Sequence, residues 1–302
     1  MNGKPVGVGE EGAEPTQWVR AAVAHVDTRS DGPPMDRALR VTLNFHPDRL
    51  AGGGLTIEAL VRDGVYRSQF ETGTSAGGLT AYPGGDRWRW EQRLFGGAYD
   101  DAPDAERPKY GALDDARRPL GAAPRFGSAH LRLREHVLDR TTFCFPDSYL
   151  DPDDLGTAAH LDLVRLAREF RSVPRDPVVE PRDGDLLDGY VEAHVHGVVD
   201  LARDVEELVL DPSFRGTPVE EAARSAPVPL RWHEGRVLTL EELRRHAHYR
   251  GPEPVALGHL VAVDGRLDAR VIGDAARTGV HHPQLVKQIW HLTARYGAPG
   301  EA

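Results

Sequence analysis

Residues 65–90 read VYRSQFETGTSAGGLTAYPGGDRWRW, residues 95–113 read FGGAYDDAPDAERPKYGAL, and residues 124–148 read PRFGSAHLRLREHVLDRTTFCFPDS. Gly and aromatic residues recur there beside Arg, Ser, Tyr and carboxylates, and no clean amphipathic helix emerges. A segment this long without regular structure of its own is a binding loop or is disordered. Phe70, Tyr82, Trp88, Trp90, Phe95, Tyr99 and Tyr110 argue against disorder, because so many aromatic side chains are costly to leave in water. The expectation is a set of ligand-facing loops laid over a small sheet. The fold class that follows is α+β, with small mixed or antiparallel sheets, long ligand-facing loops and a helical C-terminal portion.

Working outward, the stripe Val19, Ala22, Val23, Val26 predicts a helix from Pro15. RVTLNFH (40–46) alternates as a half-buried strand, and Leu55 to Val61 predicts a short helix ending near Gly64. VYRSQF reads as a strand with Tyr66, Ser68 and Phe70 on one face and Arg67 and Gln69 on the other. HLRLR and TTFCF read as strands, and Leu163, Leu166, Ala167 and Phe170 mark a helix with Thr157 as its N-cap. GYVEAHVHG (189–197) is the clearest strand, with Val191, Ala193 and Val195 turned to the core and Tyr190, Glu192, His194 and His196 opposite. Asp200 is expected to cap a helix carrying Leu201, Val205, Leu208 and Val209. Thr217 with Glu220, and Thr239 with Glu242, match the capping box. ALGHLVAV and ARVIG suggest a small hairpin, and the last helix has Pro283 near its start and Gly297 past its end. The resulting division is a tail and helix over 1–37, a catalytic-type core over 38–215 and a helical portion packed on it over 216–302.

Composition narrows the function classes. A formal net charge of -10 argues against a nucleic-acid or membrane-surface binder, which needs a clustered basic face. Of 37 basic residues only Lys4, Lys109 and Lys287 are lysine; genome composition is the plain explanation of that bias, although the Arg fork also suits phosphate. The lone Cys144 excludes an internal disulfide or a CxxC site, and its TTFCF setting reads as a buried structural thiol. No apolar signal core opens the chain and no run has transmembrane length, so a cytoplasmic protein is expected, with secretion lacking a cleaved signal left open.

Two places could carry chemistry. Glu192, His194 and His196 share one strand face, where a solvated surface is the plain alternative to a site. His194, His196 and Glu192 could serve a metal-dependent hydrolase, although H-x-H arises readily by chance among 14 His, and no metal is expected. Arg67 precedes a Gly- and Ser-rich loop and could clamp phosphate, though an ion pair would serve it as well. Ser68 beside it, Ser128 and His130 in FGSAHL, and Tyr110 as a stacking plate complete what a nucleotide site needs. GxGxxG between strand and helix, GxxxxGK[ST] and HExxH are all missing. Asp86, Arg87 and Glu91 read as a salt-bridge knot in a loop.

FHPDRL, the long string from Gly64 to Glu91, LFGGAYD, ERPKYGAL, PRFGSAHLRLR, and VEAHVHG with DPSFRGT resemble a bacterial family called domain of unknown function 3626, from about Val41 to the closing IWHLTARYG. A fainter likeness is to ADP-ribosyltransferases, α+β proteins that hold NAD between small sheets. Their key residues run in the order Arg, Ser or Tyr, Glu, and here Arg67, then Tyr110 or Ser128, then Glu192 follow that order. Tyr190 stands two residues before Glu192, where such enzymes often carry Gln or Glu. The resemblance implies NAD as substrate and ADP-ribosyl transfer or NAD glycohydrolysis. In it Arg67 and Glu192 are catalytic, and Arg67, Ser68, Tyr110, Ser128 and His130 hold the nucleotide. A protein acceptor would be a partner. The rival expectation is a nucleotide- or peptide-binding protein without turnover.

Overall fold

Alternating apolar and polar residues in eight segments build the central sheet of this computed structural model, which describes residues 14–73, 80–172 and 187–300. The strands are β1 (Arg40–Phe45), β2 (Lys109–Asp114), β3 (Ala129–Leu133), β4 (Thr141–Phe145), β5 (Asp154–Gly156), β6 (Glu192–Val195), β7 (Val205–Leu210) and β8 (Leu230–Trp232). Their order in space is β8-β7-β3-β1-β2-β6-β4-β5. Neighbours are antiparallel except β7 and β8, which run parallel at one edge. Three two-stranded ribbons accompany the sheet. Among the described residues the α-helices of six residues or more are α1 (Gln17–Asp27), α2 (Thr56–Asp63), α3 (Asp86–Leu94), α4 (Leu163–Ser172), α5 (Pro218–Arg224), α6 (Leu240–Arg245), α7 (Pro252–Val261), α8 (Ala269–Arg277) and α9 (Pro283–Tyr296). This is the α+β fold that the sequence led us to expect.

Register makes the two sheet faces chemically different. Leu43 pairs with Leu131 and Leu131 with Leu208, while Phe143 pairs with Ala193, so one face is continuously apolar. Ile57 and Leu60 of α2, Leu163 and Ala167 of α4, Val219 of α5 and Ile289 and Trp290 of α9 join that face in the main hydrophobic cluster. Burying each such side chain contributes about 1.5–3 kcal/mol. The same register lines up Thr42, Ala112, Glu192 and Cys144 on the opposite face, next to a second row of Tyr110, His194 and Thr142. That polar face is also covered: Ala22 and Val26 of α1 and Leu94 of α3 pack with Phe95, Tyr99, Cys144 and Leu155.

Several local expectations are corrected. VYRSQF is a strand only at Val65–Tyr66; Ser68 caps the helical turn Gln69–Thr72, and Ser68 with Glu71 forms a capping box. DRWRWEQRL is helix α3, not a loop knot, because its Glu91 finds partners inside the protein. Thr157 caps no helix; it donates to Asp27 at 2.6 Å. Asp200 does cap, but the helix lasts from Leu201 to Asp204 before Val205–Leu210 joins the sheet. ALGHLVAV and ARVIG lie in α7 and α8 rather than in a hairpin. RVTLNF is buried on both faces, since Thr42 and Asn44 find their partners under the loop around Leu120 to Ala123. Thr217 heads α5 without a side-chain cap bond, and Glu220 accepts instead from the Gly216 amide. The expected loose tail before Glu14, and the connection over 173–186, lie outside the described residues.

Candidate active site

A cleft of about 2180 Å³ opens where the end of β1, the start of β2, the residues after β4 and the start of β6 meet. Ten Arg and Lys side chains line it against five Asp and Glu, so this cavity is cationic within a chain of formal charge -10. Cations concentrated in a low-dielectric recess attract anionic ligands.

Glu192, the first residue of β6, reaches this cleft while only 5 % exposed. Its Oε1 accepts from Ser148 Oγ and meets His194 Nε2 at 2.9 Å. Ser148 begins a short 3-10 turn whose cap is Asp147, with the Tyr149 amide donating to the Asp147 carboxylate at 2.8 Å. Both hydrogen bonds to Glu192 address one oxygen, and Oε2 has no partner among the described residues. The solvated surface that was the plain alternative for this face is not found: it is a buried, hydrogen-bonded wall, because α1, α3 and the residues after α3 cover it.

Tyr110 stands one strand away from that carboxylate. Its hydroxyl donates to Glu91 Oε1 at 2.7 Å, and Arg107 Nη1 donates to Glu91 Oε2 at 2.8 Å. Burial pushes the Tyr110 hydroxyl well above its ordinary value, with the Glu91 charge adding to the shift. The guanidinium of Arg87 lies over Trp90 at 4.6 Å and over Tyr110 at 4.3 Å. Its Nε and Nη1 are buried and have no hydrogen-bond partner. A stacked guanidinium with idle donors suits a planar or tetrahedral oxyanion. The stretch had been read as a surface knot, so Arg87 was missed; the paired aromatics around it were the available signal.

The expected nucleotide-binding residues divide in two. Arg67 lines the cleft, but its side chain is 45 % exposed and already paired with Asp63 at 2.9 Å and Glu71 at 3.7 Å. It occupies an extended link, not mid-strand. Ser68 also lines the cleft, with its hydroxyl spent on the Asp104 carbonyl and on capping. Ser128 and His130 do not line it. They belong to the β3 end of the polar face, with β1 and β2 between them and Glu192. The apolar cluster of Ala112, Ala122, Ala123 and Tyr190 fills that space. Burial, aided by Arg132 and His233, holds His130 well below the ordinary imidazole range, and neither of its ring nitrogens has a partner.

Lys109 and Lys287 also line the cleft. The Lys109 ammonium donates to the carbonyls of Arg107 at 3.0 Å and Gly197 at 2.8 Å and to that of Ala105, while burial pulls its pKa down to about 8. Lys287 is lowered too, by burial and by the charges of Arg125 and Arg250.

Among the described residues, Cys144, Glu192 and His194 could hold a metal ion, with donor atoms within 4.8 Å of one another. His196, expected as a donor beside His194, stands apart: Tyr99 and Thr142 take its two ring nitrogens at 2.6 and 2.9 Å. Cys144 is fully buried, and burial together with Glu192 pushes its thiol well above the ordinary range. Metal binding there would require loss of that proton.

No helix among the described residues is long and apolar enough to cross a membrane. The sequence matches the family described as protein of unknown function (DUF3626) over residues 40–179 and 166–295. A comparison with curated proteins finds none that matches. The family match spans most of the chain, including every strand of the sheet and the whole cleft wall, and the chain belongs to that family.

Proposed function

We propose that the protein is an NAD-using enzyme that transfers ADP-ribose or hydrolyses NAD in the cationic cleft. The observation that carries this reading is Glu192, a buried carboxylate with one oxygen pinned and the other free, set in a cleft where Arg and Lys outnumber Asp and Glu two to one. In this reaction the bond from the ribose C1′ to the nicotinamide nitrogen breaks, and its electron pair leaves with nicotinamide. Positive charge grows on the ribose, and a fixed carboxylate beside it lowers the barrier. Water or a nucleophilic acceptor then bonds to C1′ and gives up its proton. Arg87 would take a phosphate oxygen of the dinucleotide, and Tyr110 and Trp90 would offer flat faces to a ring. Tyr149 and Leu150, 88 % and 63 % exposed beside the cleft, suit a protein acceptor better than bare hydrolysis.

Nicotinamide release by the purified protein tests the reading, with Glu192→Gln and Arg87→Met alongside. Release that disappears with Glu192→Gln supports it. Binding of NAD without release makes the protein a nucleotide binder, and neither binding nor release ends the NAD reading. A second reading is favoured by the grouping of Cys144, Glu192 and His194: a metal-dependent hydrolase. Elemental analysis showing one bound transition metal per chain would put that reading first.

A further inference from the structure

Behind Glu192 an unbroken line of side-chain hydrogen bonds crosses the polar face. Tyr99 Oη lies 2.6 Å from His196 Nδ1, and His196 Nε2 lies 2.9 Å from Thr142 Oγ1. Thr142 Oγ1 lies 3.2 Å from His194 Nδ1, and His194 Nε2 lies 2.9 Å from Glu192 Oε1. None of these five residues is more than 5 % exposed, so each must find its partners within the protein. We infer that Tyr99, His196, Thr142 and His194 form a one-directional hydrogen-bond chain that holds the Glu192 carboxylate in its working orientation. The functional half of this inference rests on the proposed role of Glu192; the direction of the chain does not.

Direction follows from counting protons. A carboxylate can only accept, so His194 must donate from Nε2, and with one N–H per ring its Nδ1 is an acceptor. Thr142 then donates to that Nδ1 and accepts through its remaining lone pair from His196 Nε2–H. His196 Nδ1 is therefore an acceptor, filled by the Tyr99 hydroxyl. Every donor meets one acceptor, and no proton is left over. Burial keeps His196 well below the ordinary imidazole range and so neutral, as the count requires. A doubly protonated His194 would send the chain the other way, placing the His196 proton on Nδ1 and orphaning the Tyr99 proton.

The rings have little freedom to turn. Phe95 meets His194 and His196 edge-on at 5.4 and 4.9 Å, and Tyr99 stacks on His196 at 5.8 Å. Tyr110 meets His194 edge-on at 5.5 Å. The far end is anchored as well, since the Tyr99 carbonyl accepts from Arg107 Nη2 at 2.8 Å, and Arg107 also holds Glu91. The carboxylate thus receives His194 and Ser148 on Oε1 and keeps Oε2 for the ligand. Thr142 is the one member that both donates and accepts as a hydroxyl, which makes it the sensitive link.

Two measurements on the full chain test this. Nitrogen-15 NMR of histidine-labelled protein at neutral pH, assigned with His194→Asn and His196→Asn, should show both rings protonated at Nε2. A proton on Nδ1 of either ring overturns the direction, and a stoichiometric metal on His194 overturns the chain. Thr142→Val should lower kcat for nicotinamide release about 2- to 10-fold, the scale of one hydrogen bond between neutral groups, with KM little changed. Thr142→Ser should restore kcat. A folded Thr142→Val protein turning over at the normal rate overturns the positioning role. Should the normal protein release no nicotinamide, the reaction falls, while the tautomers still decide the chain.

Discussion

The two faces of the eight-stranded sheet are equally dry and chemically opposite. On one, Leu43, Leu131, Phe143 and Ala193 are fully buried and need only to fill space. On the other, Thr42, Thr142, His194 and Glu192 are almost as buried, yet each requires a partner in a set geometry. A hydrogen bond returns little net stability, whereas an unmade one in the interior is expensive. A protein that lines a whole buried face with such groups gains orientation more than stability. The polar face is itself uneven: from Tyr99 to His194 each side-chain hydrogen-bonding group has a partner, while among the described residues His130 and Ser128 at the other end have buried polar atoms without one.

The comparison can be broken first on the apolar side. Phe143→Ala should cost about 3–5 kcal/mol in urea unfolding, with ligand affinity per folded molecule unchanged. Loss of binding without loss of stability would show that the faces do not divide as described.

Next comes Asp204, which accepts from Arg140, Arg203 and His136 beneath the β3–β7 edge. Desolvation alone would raise its pKa, but hydrogen bonds from Arg203, the Arg140 charge and His136 outweigh it and hold the carboxyl below its ordinary value. A carboxyl depressed in the folded state stabilises the protein above its unfolded value, and that contribution disappears as pH falls. Unfolding followed against pH should therefore show stability dropping below about pH 4. Asp204→Asn should remove much of that dependence and cost about 2–3 kcal/mol at neutral pH.

On the cleft side, Arg87→Met should weaken ADP-ribose binding by calorimetry about tenfold or more, with stability nearly unchanged. The smallest effect is expected from Arg67→Ala, whose guanidinium is occupied by Asp63 and Glu71; affinity should move less than about threefold. Should Arg67 prove the larger of the two, the idle donors of Arg87 are not the anion site.

How much of this was legible depends on whether the signal was local. GYVEAHVHG and RVTLNF announced their strands because alternation over a few residues is enough, and Pro283 with Gly297 bracketed α9 correctly. VYRSQF misled because Val-Tyr carries strand propensity, while the stronger signal, Ser68-x-x-Glu71, was a capping box. DRWRWEQRL hid its inner face because that face carries Glu91, which looks like a surface residue until Arg107 and Tyr110 are brought beside it. Val205, Leu208 and Val209 fit a helix as well as a strand, and only pairing with β3 decided between them. Glu192 could be placed on its strand face, since that strand was clear. Its helpers could not be placed: Thr142 and Ser148 lie far from it in sequence, and only the pairing of β4 with β6 aligns them. Ser128 and His130 occupy the expected kind of position, but on a strand too far across the sheet.

The lysine count gives the cleft a chemical handle. Lys109 is sealed behind three carbonyls, so an acylating reagent has no path to its lone pair. Lys287 is only half-buried, lines the cleft, and has a basicity lowered by burial, Arg125 and Arg250, which leaves more free amine near neutral pH. Lys4 lies in the N-terminal segment, away from the described residues. A mild amine-directed label followed by peptide mass mapping would therefore read the cleft at a single position. Protection of that position by a candidate ligand would screen for substrates before any activity assay exists.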